Sequence, residues 1–179
     1  MAFRNNTDQY GLGSKLLHWL IAILMISLLV LGIWMVDLSY YDPWYHDALS
    51  LHKSLGISLG MVVLLKLAWR LISPNPAPQS SLSGFEVFAS RWVHHLLLFA
   101  MMVLPATGYL ISSSEGAAIE VFTLFEVPAL WSVSDGLRDL SITLHYYLAY
   151  LTLGFVVLHA TAAIKHQFID HKGTLKRML

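Results

Sequence analysis

Four long apolar runs divide this chain, and polar segments separate them. The runs cover about residues 16–36, 51–72, 92–111 and 141–165. Each is about twenty residues long, the length that an α-helix needs to cross a bilayer core of about 30 Å. Serine and alternating prolines end the second run at residues 73–78, because proline cannot continue a helix. The pattern predicts an all-α membrane protein, in which residues 1–179 form one domain, a bundle of four transmembrane helices.

Two of the connections have features of their own. Ser83 and Glu86 have the spacing of a capping box, which starts either a short amphipathic helix or the third span itself. Pro105 lies in the later half of the third span, where we expect it to kink the helix. The connection over residues 112–140 is the longest and contains acids, aromatic residues and a proline. We expect it to pack on the bundle as a lid.

Composition agrees with a membrane location. Hydrophobic residues make up 56% of the 179 residues and charged residues 12%, whereas about a quarter of a soluble domain is charged. The chain has no cysteine, which excludes a disulfide framework, a thiolate metal site and covalent c-type haem attachment. The first apolar run is too long for a signal h-region, so we expect no cleaved signal peptide. The formal net charge is zero, and we expect no nucleic-acid partner.

The distribution of charge predicts the orientation in the membrane. Four spans place both termini on one side. That side carries nine basic residues: Arg4, Lys15, Lys66, Arg70, Arg91, Lys165, Lys172, Lys176 and Arg177. The other side carries Lys53 and Arg138 against eight acids: Asp37, Asp42, Asp47, Glu115, Glu120, Glu126, Asp135 and Asp139. The positive-inside rule therefore predicts cytoplasmic termini.

Four histidines fall into two pairs at matching depths. His145 and His159 are 14 residues apart, which on an α-helix is about 21 Å of rise and about 40° short of four turns. Both imidazoles therefore leave nearly the same face. His18 shares the inner depth with His159, and His52 shares the outer depth with His145. Polar residues bonded at helix ends would be the plainer interpretation, but the pairing by depth favours ligands.

A histidine pair across a four-helix bundle is the bis-axial ligation expected of a b-type haem. Two pairs at two depths predict two stacked haem b sites. Because both axial positions of each iron would be filled, this arrangement favours electron transfer over oxygen chemistry. The other ring nitrogen of each ligand needs an acceptor that fixes the tautomer.

Glycines and basic residues follow His52 along one face of the second span. Gly56 and Gly60 come one and two turns later, where they either let a flat macrocycle lie against the helix or form a small-xxx-small packing motif. Lys66 and Arg70 lie farther along the same face. They either reach the propionates of the inner haem or snorkel to the membrane surface.

The remaining five histidines lie outside the two pairs. His94 and His166, with Arg91, are candidates for an inner quinone site, because quinone reduction couples electrons to protons and imidazole can relay a proton. The alternative is that they are interfacial histidines in solvent. We expect the other three, His46, His95 and His171, to be solvated and structural or neutral.

The chain resembles the bacterial cytochrome b561 family, four-helix di-haem membrane proteins of about this length. The resemblance covers nearly the whole chain. It is carried by His18 and Trp19, by LHKSLG at 51–56, by LPATGYL at 104–110 and by LHYYLAYLTLGFVVLHATAAIKH at 144–166. It implies that His18 and His159 ligate one haem b, and that His52 and His145 ligate the other. It also implies a multi-pass protein of the bacterial inner membrane that passes electrons between the outer face and the quinone pool.

Three hypotheses about function follow. The first is a di-haem b quinone oxidoreductase; one activity in the family oxidises superoxide and reduces ubiquinone. Lys53 and Arg138 would then form an anion funnel at the outer haem, although the acidic outer face repels superoxide on average. The second is a haem-b anchor subunit whose acidic face docks a basic periplasmic redox protein. The third is a haem-free membrane protein that uses its histidines for protons or transition metals.

Overall fold

Four long α-helices account for most of the protein. The computed structural model describes residues 2–114 and 116–179, and its helices are α1 (Leu12–Val36), α2 (Tyr45–Ile72), α3 (Gly84–Ser113) and α4 (Asp135–Ile164). A π-helical segment, Lys165–Ile169, continues α4. All four helices are long and apolar enough to cross a membrane. The architecture is that of a multi-pass helical membrane protein, as the apolar runs predict.

Polar caps start two of the helices ahead of their apolar runs. At the start of α3, the Glu86 amide donates to Ser83 Oγ (3.3 Å), and the Ser83 amide donates to Glu86 Oε2 (2.7 Å). This confirms the capping box and assigns it to the third span itself. Ser134 caps α4 in a similar way by accepting a hydrogen bond from the Leu137 amide. Because caps lie in polar sequence, hydropathy places these helix starts too late.

The helices pack as an open series rather than a closed ring. α1 packs closely on α2, α2 on α3, and α3 on α4. Over the described residues, α4 makes at most slight contact with α1 and α2. The core is aliphatic and comes from α1, α2 and α3: Ile21, Met25, Leu28, Leu29, Leu59, Val63, Ala100 and Leu104. Four partly buried side chains of α4 pack against this core: Leu148, Ala149, Leu153 and Val156.

Both termini meet at one end of the bundle, which we call the terminal end. The Asn5 amide donates to Ser73 Oγ (2.9 Å), which joins the N-terminal segment to the α2–α3 connection. An Arg177 guanidinium N–H donates to the Asp8 carbonyl (2.9 Å), which joins the C-terminal tail to the same segment. These bonds cover the terminal end with three chain segments.

The opposite end, which we call the hairpin end, carries a small antiparallel sheet in the α3–α4 connection. Its strands are β1 (Ile119–Val121) and β2 (Phe125–Val127). The buried hydroxyl of Ser54 on α2 donates to the Glu120 carbonyl (3.2 Å) and accepts from the Phe122 amide (3.1 Å). The connection packs on the bundle, as predicted. The strands themselves were not predicted.

Candidate functional site

Four histidines form two pairs, one toward each end of the bundle. The ring centres of His52 and His145 are 6.2 Å apart, and those of His18 and His159 are also 6.2 Å apart. We call these the hairpin-end pair and the terminal-end pair. Each pair joins α4 to a helix on which it does not closely pack, α2 in the first case and α1 in the second. The structure brings together the partners that depth predicts.

An apolar cavity of about 390 Å³ adjoins the hairpin-end pair. All four helices line it, mostly with aliphatic side chains, and His52 and His145 both face it. Gly56 lies in its wall, where an added Cβ would meet nothing within 4 Å. An added Cβ at Gly60 would instead lie 3.3 Å from the Cβ of Pro105. Gly56 therefore opens onto the cavity, whereas Gly60 allows α2 and α3 to approach closely.

The hairpin-end imidazoles contact three residues that the sequence analysis did not single out. Nδ1 of His145 lies 3.0 Å from Oγ1 of Thr107. An added Cβ would lie 3.4 Å from Cε1 of His145 if placed on Gly108, and 3.2 Å from Cε1 of His52 if placed on Gly32. Thr107 and Gly108 belong to the LPATGYL stretch, but nothing in one sequence indicates that this stretch faces His145.

Three imidazoles gather at the terminal end. The ring centre of His94 on α3 is 5.0 Å from that of His159. Nδ1 of His94 donates to the Ser90 carbonyl (2.6 Å), which leaves Nε2 of His94 unprotonated. The structure therefore places His94 beside the terminal-end pair.

His166 belongs to an ion-pair network just beyond α4. Its Nδ1 lies 2.7 Å from Oδ2 of Asp170, which also accepts from Lys165 Nζ (2.6 Å). Glu86 accepts from Lys172 Nζ (2.6 Å) and lies 3.7 Å from His166. The hydrogen bonds from Lys165 and His166 lower the pKa of Asp170 below its ordinary value. Because each carboxylate already has a lysine partner, the network ties the tail to α3 rather than forming a metal site.

The basic residues proposed for these sites differ in position. Lys53 lines both the apolar cavity and a second, more polar hollow of about 230 Å³ that His46 and Glu120 also line. Arg138 is exposed near the start of α4 and lines neither of these two hollows. Arg70 is exposed in the last turn of α2. Of the two residues predicted to form an anion funnel, Lys53 alone lines the cavity.

Comparison with known proteins adds independent findings. The sequence model of the family described as prokaryotic cytochrome b561 matches residues 9–179. "Cytochrome b561 homolog 2" of Escherichia coli (strain K12) is 44% identical over 179 residues, which cover 100% of this chain and 95% of that protein. "Probable superoxide oxidase CybB" of Yersinia pestis is 28% identical over 171 residues, which cover 91% of each chain.

Proposed function

The chain belongs to the prokaryotic cytochrome b561 family, and from that premise we propose that it carries two b-type haems and passes electrons between the two faces of a membrane. Members of this family bind haem b and transfer electrons. We assign one haem to His52 and His145 and the other to His18 and His159. One observation carries this assignment: the ring centres of both pairs are 6.2 Å apart.

This separation fits a metal ion held between two imidazoles. Metal–nitrogen bonds of about 2 Å, with each nitrogen about 1.1 Å from its ring centre, put two trans rings roughly 6 Å apart. At the hairpin end, a cavity lined by all four helices leaves room for a flat group around such an ion. The two pairs therefore fit the axial ligand sets of two haems.

The cavity at the hairpin-end pair also fits a flat, apolar group with a charged edge. Its wall is mostly aliphatic, and Gly56 leaves open space in it. Lys53 also lines the cavity, and its ammonium group would offset a carboxylate of the bound group. When bound, each haem supplies a one-electron iron couple, and its two histidine ligands favour electron transfer over oxygen chemistry.

α4 sets the distance between the two sites because it supplies one ligand to each. The 14 residues between His145 and His159 correspond to about 21 Å along the helix axis. That distance is shorter than a bilayer core of about 30 Å, so each site would lie a few ångströms inside one membrane surface. The helix would thereby hold two electron carriers in line across the membrane.

We further propose that the terminal end is cytoplasmic and that the protein lies in the bacterial inner membrane. The charge distribution supports this orientation, because nine of the 11 lysines and arginines lie in segments at the terminal end. A quinone site at this end would use His94 and His166, since imidazoles that keep a free ring nitrogen can relay protons. Ubiquinone is the acceptor that the family resemblance suggests.

Superoxide is our first candidate for the electron donor at the hairpin end. The Yersinia pestis relative, named as a probable superoxide oxidase, supports it, and so does the position of Lys53 in the lining of the cavity. The wider charge opposes it, because seven described acids surround this end: Asp37, Asp42, Asp47, Glu120, Glu126, Asp135 and Asp139. The eighth predicted acid, Glu115, lies outside the described residues. An anionic donor would need the local field of Lys53 to outweigh this surrounding charge.

A basic periplasmic redox protein is the second candidate donor. Glu120 and Glu126 are direct cross-strand partners in the hairpin. Like charges in directly opposite positions destabilise an antiparallel pair, and a basic partner would relieve that repulsion. This observation favours a docking role for the hairpin end.

Rapid mixing of the purified, haem-loaded protein with superoxide and a soluble ubiquinone analogue separates the two donors. The superoxide hypothesis predicts haem reduction within the mixing experiment, followed by quinone reduction above the uncatalysed rate. Haem that stays oxidised under superoxide, but is reduced by a basic cytochrome in a salt-sensitive way, would favour the docking hypothesis.

A further inference from the structure

Over the described residues, one side-chain hydrogen bond reaches an imidazole of the hairpin-end pair. It joins Thr107 to His145. The Thr107 side chain is buried, and its Oγ1 lies 3.0 Å from Nδ1 of His145. The same Oγ1 lies 2.9 Å from the Val103 carbonyl and 3.0 Å from the Leu104 carbonyl. Carbonyl oxygens only accept, so the single hydroxyl hydrogen of Thr107 is used within α3. Thr107 is left as the acceptor, and Nδ1 of His145 is the donor.

This direction determines which nitrogen of His145 is free. A neutral imidazole that carries its hydrogen on Nδ1 has its lone pair on Nε2. The hydrogen bond therefore selects one tautomer and restrains the rotation of the ring. A hydrogen bond from the distal N–H also raises the basicity of an imidazole as a metal ligand.

We propose that Thr107 is a positioning residue that orients His145 and strengthens it as an iron ligand at the hairpin-end site. The inference rests on the proposed function, since it presupposes a haem between His52 and His145. Gly108 contributes space, because an added Cβ at that position would lie 3.4 Å from Cε1 of His145.

The two imidazoles of the hairpin-end pair are held in different ways. Nδ1 of His52 is buried and has no hydrogen-bond partner among the described residues. Its ring instead packs against α1 at Gly32, where an added Cβ would lie 3.2 Å from Cε1. Of the two ligands, His145 is therefore the one whose basicity a side-chain hydrogen bond raises. Loss of the Thr107 hydroxyl should change the reduction potential of the hairpin-end haem and leave that of the terminal-end haem unchanged.

The direction of the effect follows from ligand basicity. A more basic imidazole favours the ferric over the ferrous state, so Thr107 lowers the reduction potential of the hairpin-end haem. Thr107→Val keeps the side-chain shape and removes the hydroxyl. We expect the ratio of ferric to ferrous haem at a given potential to fall about tenfold. For a one-electron couple this is a rise in the reduction potential of about 59 mV. The potential of the terminal-end haem should not change.

Thr152 provides a matched control. It is fully buried on α4, and its hydroxyl donates to the Leu148 carbonyl (2.6 Å), a bond of the same type as Thr107 makes within α3. Thr152→Val therefore removes an equivalent helix bond at a residue that, over the described part of the chain, makes no hydrogen bond to a histidine. Comparison of Thr107→Val with Thr152→Val isolates the contact to His145 from the loss of a buried hydroxyl.

The test is a potentiometric titration of both haems, with low-spin electron paramagnetic resonance spectra and haem content measured on the same samples. We expect Thr107→Val to change the potential and the spectrum of one haem, whereas Thr107→Ser and Thr152→Val keep wild-type values. Wild-type values in Thr107→Val, or equal shifts in Thr107→Val and Thr107→Ser, would overturn the proposal.

A second comparison is used if the Thr107→Val protein does not fold or accumulate. Thr107→Ala and Thr107→Ser differ in the hydroxyl alone, and equal signals from the hairpin-end haem in these two would also overturn the proposal. A wild-type protein without two haems would refute the proposed function itself. If the wild-type protein has two haems and the Thr107 variants leave the potential and the spectrum of the hairpin-end haem unchanged, this inference alone is refuted.

Discussion

Gly56→Leu should expel the hairpin-end haem without weakening the helix that carries the substitution. The new side chain adds four carbon atoms, roughly 100 Å³ at the packing density of protein interiors, to a cavity of about 390 Å³. About a quarter of the cavity would be filled, in the wall beside His52. Nothing lies within 4 Å of an added Cβ at Gly56, so the side chain enters the cavity instead of displacing protein atoms.

Helix propensity acts in the opposite direction. Leucine is better than glycine inside a helix by about 0.8 kcal/mol, so the haem-free protein should be at least as stable as wild type. Gly154→Leu is the matched control. Gly154 is an exposed residue of α4 that also has open space around an added Cβ, and it does not line the cavity. The two substitutions gain the same propensity, but only one reduces the room for a cofactor.

The assay is haem content per chain, combined with a redox titration that resolves the two haems. We expect the haem content of the Gly56→Leu protein to fall from two haems per chain toward one. The signal of the hairpin-end haem should be lost and that of the terminal-end haem kept. Gly154→Leu should keep both. Two haems with unchanged spectra in Gly56→Leu would refute the placement of a macrocycle beside Gly56, and so would equal losses in the two variants.

The remaining predictions concern a ligand, the donor face and the tail. His145→Ala should remove the hairpin-end haem and spare the other in the same titration, and loss of both would contradict independent sites. Lys53→Glu should slow haem reduction by superoxide several-fold in stopped-flow measurements, most at low salt, and an unchanged rate would exclude steering by Lys53. Lys165 and His166 hold the pKa of Asp170 below its ordinary value of 3.8, so their stabilisation is fully present above that pH and is lost as the pH falls through the lower, folded-state pKa. Asp170→Asn should therefore lower the melting temperature at neutral pH and lose this effect in acid, and an equal loss at both pH values would contradict the ion pairing.

The number of helices and the pairing of the histidines could be predicted because both follow from lengths that a membrane imposes. An apolar run of about twenty residues spans the core, and the rise per residue gives each histidine a depth. The bounds were less accurate. α2 begins at Tyr45 and α4 at Asp135, well before their apolar runs, because hydropathy does not register polar first turns and caps.

The contacts between helices could not be predicted. Depth along a helix follows from sequence, but the rotation of one helix against another does not, and the hydrogen bond from His145 to Thr107 depends on that rotation. The hairpin was also missed. Its turn places Phe122 and Thr123 at φ 48° and 60°, where the usual sequence signal is asparagine or glycine. Ser54, far away in sequence, supplies part of the stabilisation that the turn residues lack.

The stoichiometry of haem in the purified protein tests the central claim most directly. A pyridine haemochrome assay against quantified protein should give two b-type haems per chain, both low-spin, because each histidine pair supplies both axial ligands to one iron. One haem per chain would contradict the assignment of a separate haem to each pair. The absence of haem would contradict electron transfer by this route altogether.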